Sequence, residues 1–120
     1  KMSLFSGLIF LMITYQDFEK IDIRVGTILQ AIIFEKARKP AYQLEIDFGA
    51  LGIKKSSAQI TDYYLPEHLI GKQIVAVVNF PPKQIANFYS ECLVLGIVDV
   101  SEKVVLLQPD RPIENGLKIS

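Results

Sequence analysis

The chain has one cysteine and one histidine among its 120 residues. A single cysteine excludes a disulfide scaffold, and one Cys with one His is too small a donor set for any standard zinc site. Charge of one sign is not in excess either: thirteen basic residues meet thirteen acidic ones. A strong single-sign field is therefore excluded, and any hold on a polyanion must come from local clusters. A bilayer span needs roughly 20 apolar residues. The apolar stretch at 4–13 (LFSGLIFLMI) is half that length, so no membrane span is expected. Internal repeats and low-complexity linkers are missing. So is a phosphate-cradling loop, because Gly49-Ala50-Leu51-Gly52 lacks a Lys-Ser/Thr pair at the required offset.

What is there fits one domain with a core. Apolar residues make up 50% of the chain and charged residues 22%, which excludes a disordered tail. A chain of this length supports one core rather than two. The amino-terminal stretch stands apart. Lys1 followed by an apolar run resembles a secretory signal, but no small-x-small cleavage site follows before Asp17. Met12 gives the simpler reading, a native start inside the run with residues 1–11 upstream of it. Residues 1–16 are thus read as an apolar leader that must pack on something, and 17–120 as the domain.

From Asp17 onward, strand patterns dominate. Tyr42, Leu44, Ile46 and Phe48 alternate with Gln43, Glu45 and Asp47, the two-residue period of a half-buried strand. A long run from Ile21 to Phe34 contains Gly26, which predicts a bulge or bend there. Further strands are expected at Lys54–Ile60, Gln73–Phe80, Cys92–Val98 and Val104–Gln108. Two stretches read as helical: Thr61–Ile70, stopped by Gly71, and one or two turns within Pro82–Phe88. Gln108–Ser120 reads as an extended arm with a strand-like element at Leu117–Ile119. The predicted fold class is all-β: a five-stranded oligonucleotide/oligosaccharide-binding (OB) barrel with a short helix between strands 3 and 4 and extended terminal arms.

Catalytic constellations are absent from the pattern. His68 sits in Pro66-Glu67-His68-Leu69 with no nucleophile spaced to partner it, so it reads as a solvated helix residue. Cys92, beside Leu93-Val94-Leu95, reads as a buried inert thiol and fits a reducing cytosol. Glu45 and Asp47 share one side of a strand and read as a wet outer face. No enzyme activity and no cofactor are expected. Binding features are better represented. Arg38 and Lys39 follow Lys36 in a turn, and Lys54 and Lys55 lead into Ser57 and Gln59. Lysines beside hydroxyls and amides suit phosphate and sugar contacts. Asn79-Phe80-Pro81-Pro82-Lys83 sets an amide, an aromatic ring and a lysine at one strand end, as base stacking on such barrels requires.

Several blocks then carry a resemblance. They are Asp17-Phe18-Glu19-Lys20-Ile21-Asp22-Ile23-Arg24-Val25-Gly26, Ser56-Ser57-Ala58-Gln59-Ile60-Thr61, Val77-Val78-Asn79-Phe80-Pro81-Pro82-Lys83-Gln84-Ile85, and Ser90-Glu91 followed by Leu93-Val94-Leu95-Gly96. Over Asp17 to the carboxy terminus the chain resembles the CsaA family of export-related chaperones, part of the wider tRNA-binding-domain family. The resemblance implies a cytoplasmic homodimer that binds tRNA by shape and also binds unfolded or preprotein segments, with contact to the export motor ATPase. A tRNA-binding module that assists translation or tRNA handling, with no chaperone role, is the alternative. The resemblance and the clusters together nominate Arg38, Lys39, Lys54, Lys55, Ser57, Gln59, Asn79, Lys83 and Ser90 for tRNA. Phe48, Phe80 and Phe88 are nominated for peptide. Asn87 departs from the family's usual glycine or proline at that place.

Overall fold

The computed structural model describes residues 11–120. Most of the leader (residues 1–10) lies outside the described residues. The boundary at residue 17 falls inside a short helix that the strand pattern did not reveal, α1 (Tyr15–Glu19). Its cause is a capping box. Thr14 Oγ1 accepts from the Asp17 amide at 3.1 Å, and Asp17 Oδ2 accepts from the Thr14 amide at 3.0 Å.

A five-stranded antiparallel sheet curls into the barrel. Its strands are β1 (Ile23–Ile33), β2 (Tyr42–Asp47), β3 (Ile53–Ala58), β4 (Gln73–Val77) and β7 (Leu93–Val94), in the order β3-β2-β1-β4-β7. The all-β OB architecture read from the sequence is the one observed. β1 divides its pairing. Residues 23–27 pair with β4, and residues 27–33 pair with β2. That switch turns the corner of the barrel. The register slip lies between Ile28 and Gln30, so the bulge is at Leu29 and not at Gly26. Gly26 serves a different purpose. A Cβ there would stand 2.6 Å from Ile46 Cγ2 and 2.7 Å from Phe48 Cε1, so glycine lets the Phe48 ring fill the barrel axis. Ile28, Leu44, Ile46, Phe48, Leu69 and Ile74 form the fully buried centre. Each such side chain contributes about 1.5–3 kcal/mol by leaving water.

Helix α2 (Pro66–Leu69) stands between β3 and β4 as expected, but it is four residues long rather than ten. Pro66 is at its first turn, and a residue before proline is held out of the helical region, so Leu65 is extended. Leu69 is its buried anchor, and His68 is exposed. The predicted helix within Pro82–Phe88 is instead a hairpin of β5 (Lys83–Ile85) and β6 (Phe88–Ser90). Its turn is the pair Ala86-Asn87, with Ala86 at φ +54°. Two-residue hairpin turns need left-handed backbone at the first central position, which Ala86 supplies.

The expected strand Cys92–Val98 is broken at Leu95 into β7 and β8 (Gly96–Val98), and β8 pairs with β9 (Val104–Leu106). Leu95 instead ties the two layers, donating its amide to Val75 and accepting from Leu107. The carboxy-terminal arm returns along β1. The Val25 amide donates to Leu117, the Gly116 amide to Val25, and Arg24 bridges Lys118, matching the late strand-like element.

The barrel edge between β3 and β7 is sealed mainly by side chains. The Lys55 amide donates to Glu91 Oε1 at 2.8 Å, and Ser56 Oγ donates to the Cys92 carbonyl at 3.0 Å. The Ser57 amide donates to Ser90 Oγ at 3.1 Å. One backbone bond joins them, from the Glu91 amide to the Lys55 carbonyl at 2.8 Å.

Candidate nucleic-acid interface

The site is built around the β5–β6 hairpin, which rises beside β3 from the connection between β4 and β7. Phe88 fixes its turn end. The Phe88 ring meets Phe34 with centroids 5.4 Å apart and planes tilted by 58°. Phe34 is buried at the start of the β1–β2 loop, so this contact couples that loop to the hairpin. These are the two loops that OB barrels use for polymeric ligands. Phe34 was not nominated from the sequence. Its signal was present as an aromatic closing the β1 run, but its partner was not.

Four nominated residues converge on one hollow. Ser57, Gln59, Lys83 and Ser90 line it, with Leu93 and Val94 among the floor residues. A second hollow adjoins it and shares Lys83, Ser90, Cys92 and Leu93, with Phe80 and Pro81 on its far side. Phe80 is 55% exposed. Lys55 and Phe88 border the opposite side of the hairpin, beside Glu91 and Tyr89. Lys55 and Phe88 also meet Glu45 in a shallow recess on the outer sheet face.

Other nominated residues are placed differently. Phe48 is fully buried in the barrel, so it has no surface to offer a peptide. The two-residue alternation already put it inward with Leu44 and Ile46. Asn79 is turned toward α1. Its Nδ2 donates to the Lys20 carbonyl at 2.7 Å, and its Oδ1 accepts from the Asp22 amide at 3.0 Å. Arg38 and Lys39 are exposed in the β1–β2 loop, which Phe34 links to the hairpin. Lys54 lies in β3 opposite Ile46, close enough to Cys92 that its charge favours the thiolate. Burial outweighs that effect and pushes the Cys92 thiol up to about 11. The thiol is therefore protonated at neutral pH and is not a nucleophile. Ser57 and Ser90 carry barrel closure as well as facing the hollow. Leu93, half exposed on the floor of both hollows, was missed although strand alternation after the buried Cys92 points it outward.

No cluster of His, Cys, Asp and Glu among the described residues is arranged to hold a metal ion. The geometry is that of a surface for contact: an exposed cation, hydroxyls, an amide and an open aromatic ring around one hairpin.

A family model described as "Putative tRNA binding domain" matches residues 23–118. The chaperone CsaA from Bacillus anthracis is 60% identical, with a TM-score of 0.87 over 91% of this chain and 99% of that one. The CsaA chaperone protein from Picrophilus torridus is 59% identical, with a TM-score of 0.85 over 91% of this chain and 100% of that one. The chain belongs to the tRNA-binding-domain family, among its CsaA-like members. Methionine–tRNA ligase of Methanococcoides burtonii is 35% identical over 105 residues, which are 88% of this chain and 15% of the ligase. The chain thus spans about 15% of the length of the curated relatives it matches. What this CsaA-like chain shares with those enzymes is their tRNA-binding domain.

Proposed function

We propose that this chain binds tRNA through the face formed by β3 and the β5–β6 hairpin, recognising shape rather than sequence. The observation that carries the reading is the convergence of Ser57, Gln59, Lys83 and Ser90 on one hollow. Lys55 on the other side of the hairpin, Lys54 and the Arg38-Lys39 turn add phosphate contacts, and Asn79 acts by holding the segment after α1. Structured RNA is met mainly through phosphates and 2′-hydroxyls. Hydroxyl, amide and ammonium groups match that chemistry. Few cations per chain give modest affinity, so we place the activity in a cytoplasmic homodimer, where two faces add avidity. The exposed Ile97, Val98, Val100 and Val105 of the β8–β9 hairpin support self-association.

Holding of unfolded or preprotein segments is the second part of the proposal. Phe80 and Phe88 are the rings available for it. The likeness to CsaA chaperones supports it, and contact with the export motor ATPase is what the family resemblance implies.

Titration of tRNA binding against salt tests the first part. A clear fall of log K with log salt is expected, and a flat response would count against phosphate contacts. Suppression of aggregation of a denatured client tests the second. No suppression at stoichiometric excess leaves tRNA binding as the sole activity.

A further inference from the structure

Shape recognition accounts for the cation and the hydroxyls, but not for the apolar hollow beside them. The hollow between Phe80, Pro81 and Leu93 is walled by apolar groups and rimmed by Lys83 and Ser90. A duplex presents phosphates and ribose edges, which have no use for such a recess. An unpaired nucleotide does, because its base offers a flat apolar face while its phosphate stays outside. Phe80 is held for this role. Pro81 and Pro82 follow it and fix the backbone, and the ring is open to solvent rather than packed in the core.

Charge selects the occupant. The chain as a whole has no net charge. Yet among the described residues lining this hollow and its neighbour there is no Asp or Glu, and Lys83 belongs to both. The recesses on the other side of the hairpin do contain carboxylates, Glu91 in one and Glu45 in the other. The two sides therefore differ in what they tolerate. An apolar peptide side chain would gain nothing from a lysine rim free of acids, whereas a base joined to a phosphate uses both parts.

We propose that the Phe80–Leu93 hollow is a subsite for one unpaired nucleotide of RNA, its base against the Phe80 ring and its phosphate at Lys83. This rests on the tRNA reading above and adds a requirement for single-stranded nucleotides to it.

The test uses the full chain with three RNA probes, with an apolar peptide as a control ligand: intact tRNA, a short single-stranded oligoribonucleotide carrying 2-aminopurine, and a fully paired RNA duplex. Wild-type protein is expected to quench 2-aminopurine as the base stacks. Phe80→Ala is expected to weaken oligonucleotide binding roughly 5- to 150-fold, the range for loss of one base stack. It is expected to weaken tRNA binding in the same direction and leave duplex binding within about twofold. Phe80→Tyr keeps a ring and is expected to retain affinity and quenching. Thermal melting checks that each variant stays folded. Equal loss on duplex and single strand, or no loss on either, would overturn the subsite. Loss of binding to an apolar peptide with RNA binding intact would also overturn it and assign the hollow to peptide. If tRNA binds but the oligonucleotide is neither bound nor quenched, the subsite fails while the tRNA reading stands. If no probe binds, both fail.

Discussion

The Asn79 side chain accepts the Asp22 amide at 3.0 Å, while its own amide donates to Lys20 at 2.7 Å. One residue at the end of β4 thus fastens the segment between α1 and β1. The Val78 amide, donating to Asp22 at 2.8 Å, completes the attachment.

Asn79→Ala removes both side-chain bonds. We expect a loss of about 1–2 kcal/mol in chemical denaturation. We also expect faster exchange at the Asp22 amide. Asn79→Asp keeps the acceptor but loses the donor, and sets a carboxylate against the Lys20 carbonyl, so it is expected to be no better than alanine. An unchanged midpoint in both variants would remove the fastening role.

Gly26→Ala tests the barrel centre. The added methyl meets Ile46 and Phe48, both fully buried, and neither has free space to retreat into. Overpacking of this kind costs about 1–3 kcal/mol. Phe48→Leu added to Gly26→Ala is expected to recover part of that loss, measured by urea denaturation.

Cys92 supplies a pH test. Its thiol ionises near 9.0 when solvated, and burial lifts it to about 11 in the fold. Between those values the unfolded chain loses the proton and the native chain keeps it. Stability from this group is therefore complete below pH 9 and declines as pH rises toward 11, by about 3 kcal/mol in total. At pH 8 alkylation of native protein should be slow and should become fast in denaturant. Rapid native alkylation would contradict the buried, protonated state.

Lys83 borders both hollows, so it is the cation whose loss should register most clearly. Lys83→Ala is expected to weaken tRNA binding and to reduce the salt slope by about one. Lys103→Ala is the comparison. That ammonium sits over the Tyr63 ring at 5.7 Å and lines neither hollow, and its loss should leave the slope unchanged.

Much of the barrel could be read from residue patterns. The Tyr42–Phe48 alternation gave β2 its faces, and Gly71 marked the end of α2, although its start was expected at Thr61 rather than Pro66. The hairpin at 83–90 was harder to read. Its strands are three residues each, too short for any period to separate them from a helical turn. Gly26 announced a special place, but its reason is a ring 22 positions later in the chain, which no local pattern reveals. The same holds for the site. Residue types pointed to Ser57, Gln59, Lys83 and Ser90, and their meeting depends on the hairpin folding back beside β3. Asn79 and Ser90 show the other limit, since a polar side chain at a strand end looks alike whether it awaits a ligand or already has a backbone partner.

The seal of the barrel by Ser56, Ser90 and Glu91 has a dynamic consequence. A seam closed by two hydroxyls, one carboxylate and a single backbone bond can unbutton without disturbing the rest of the sheet. A polymer seated against β6 presses on those same fasteners. Occupancy should therefore slow hydrogen exchange at the Lys55 and Ser57 amides, so that gripping a guest and stiffening the host become one event.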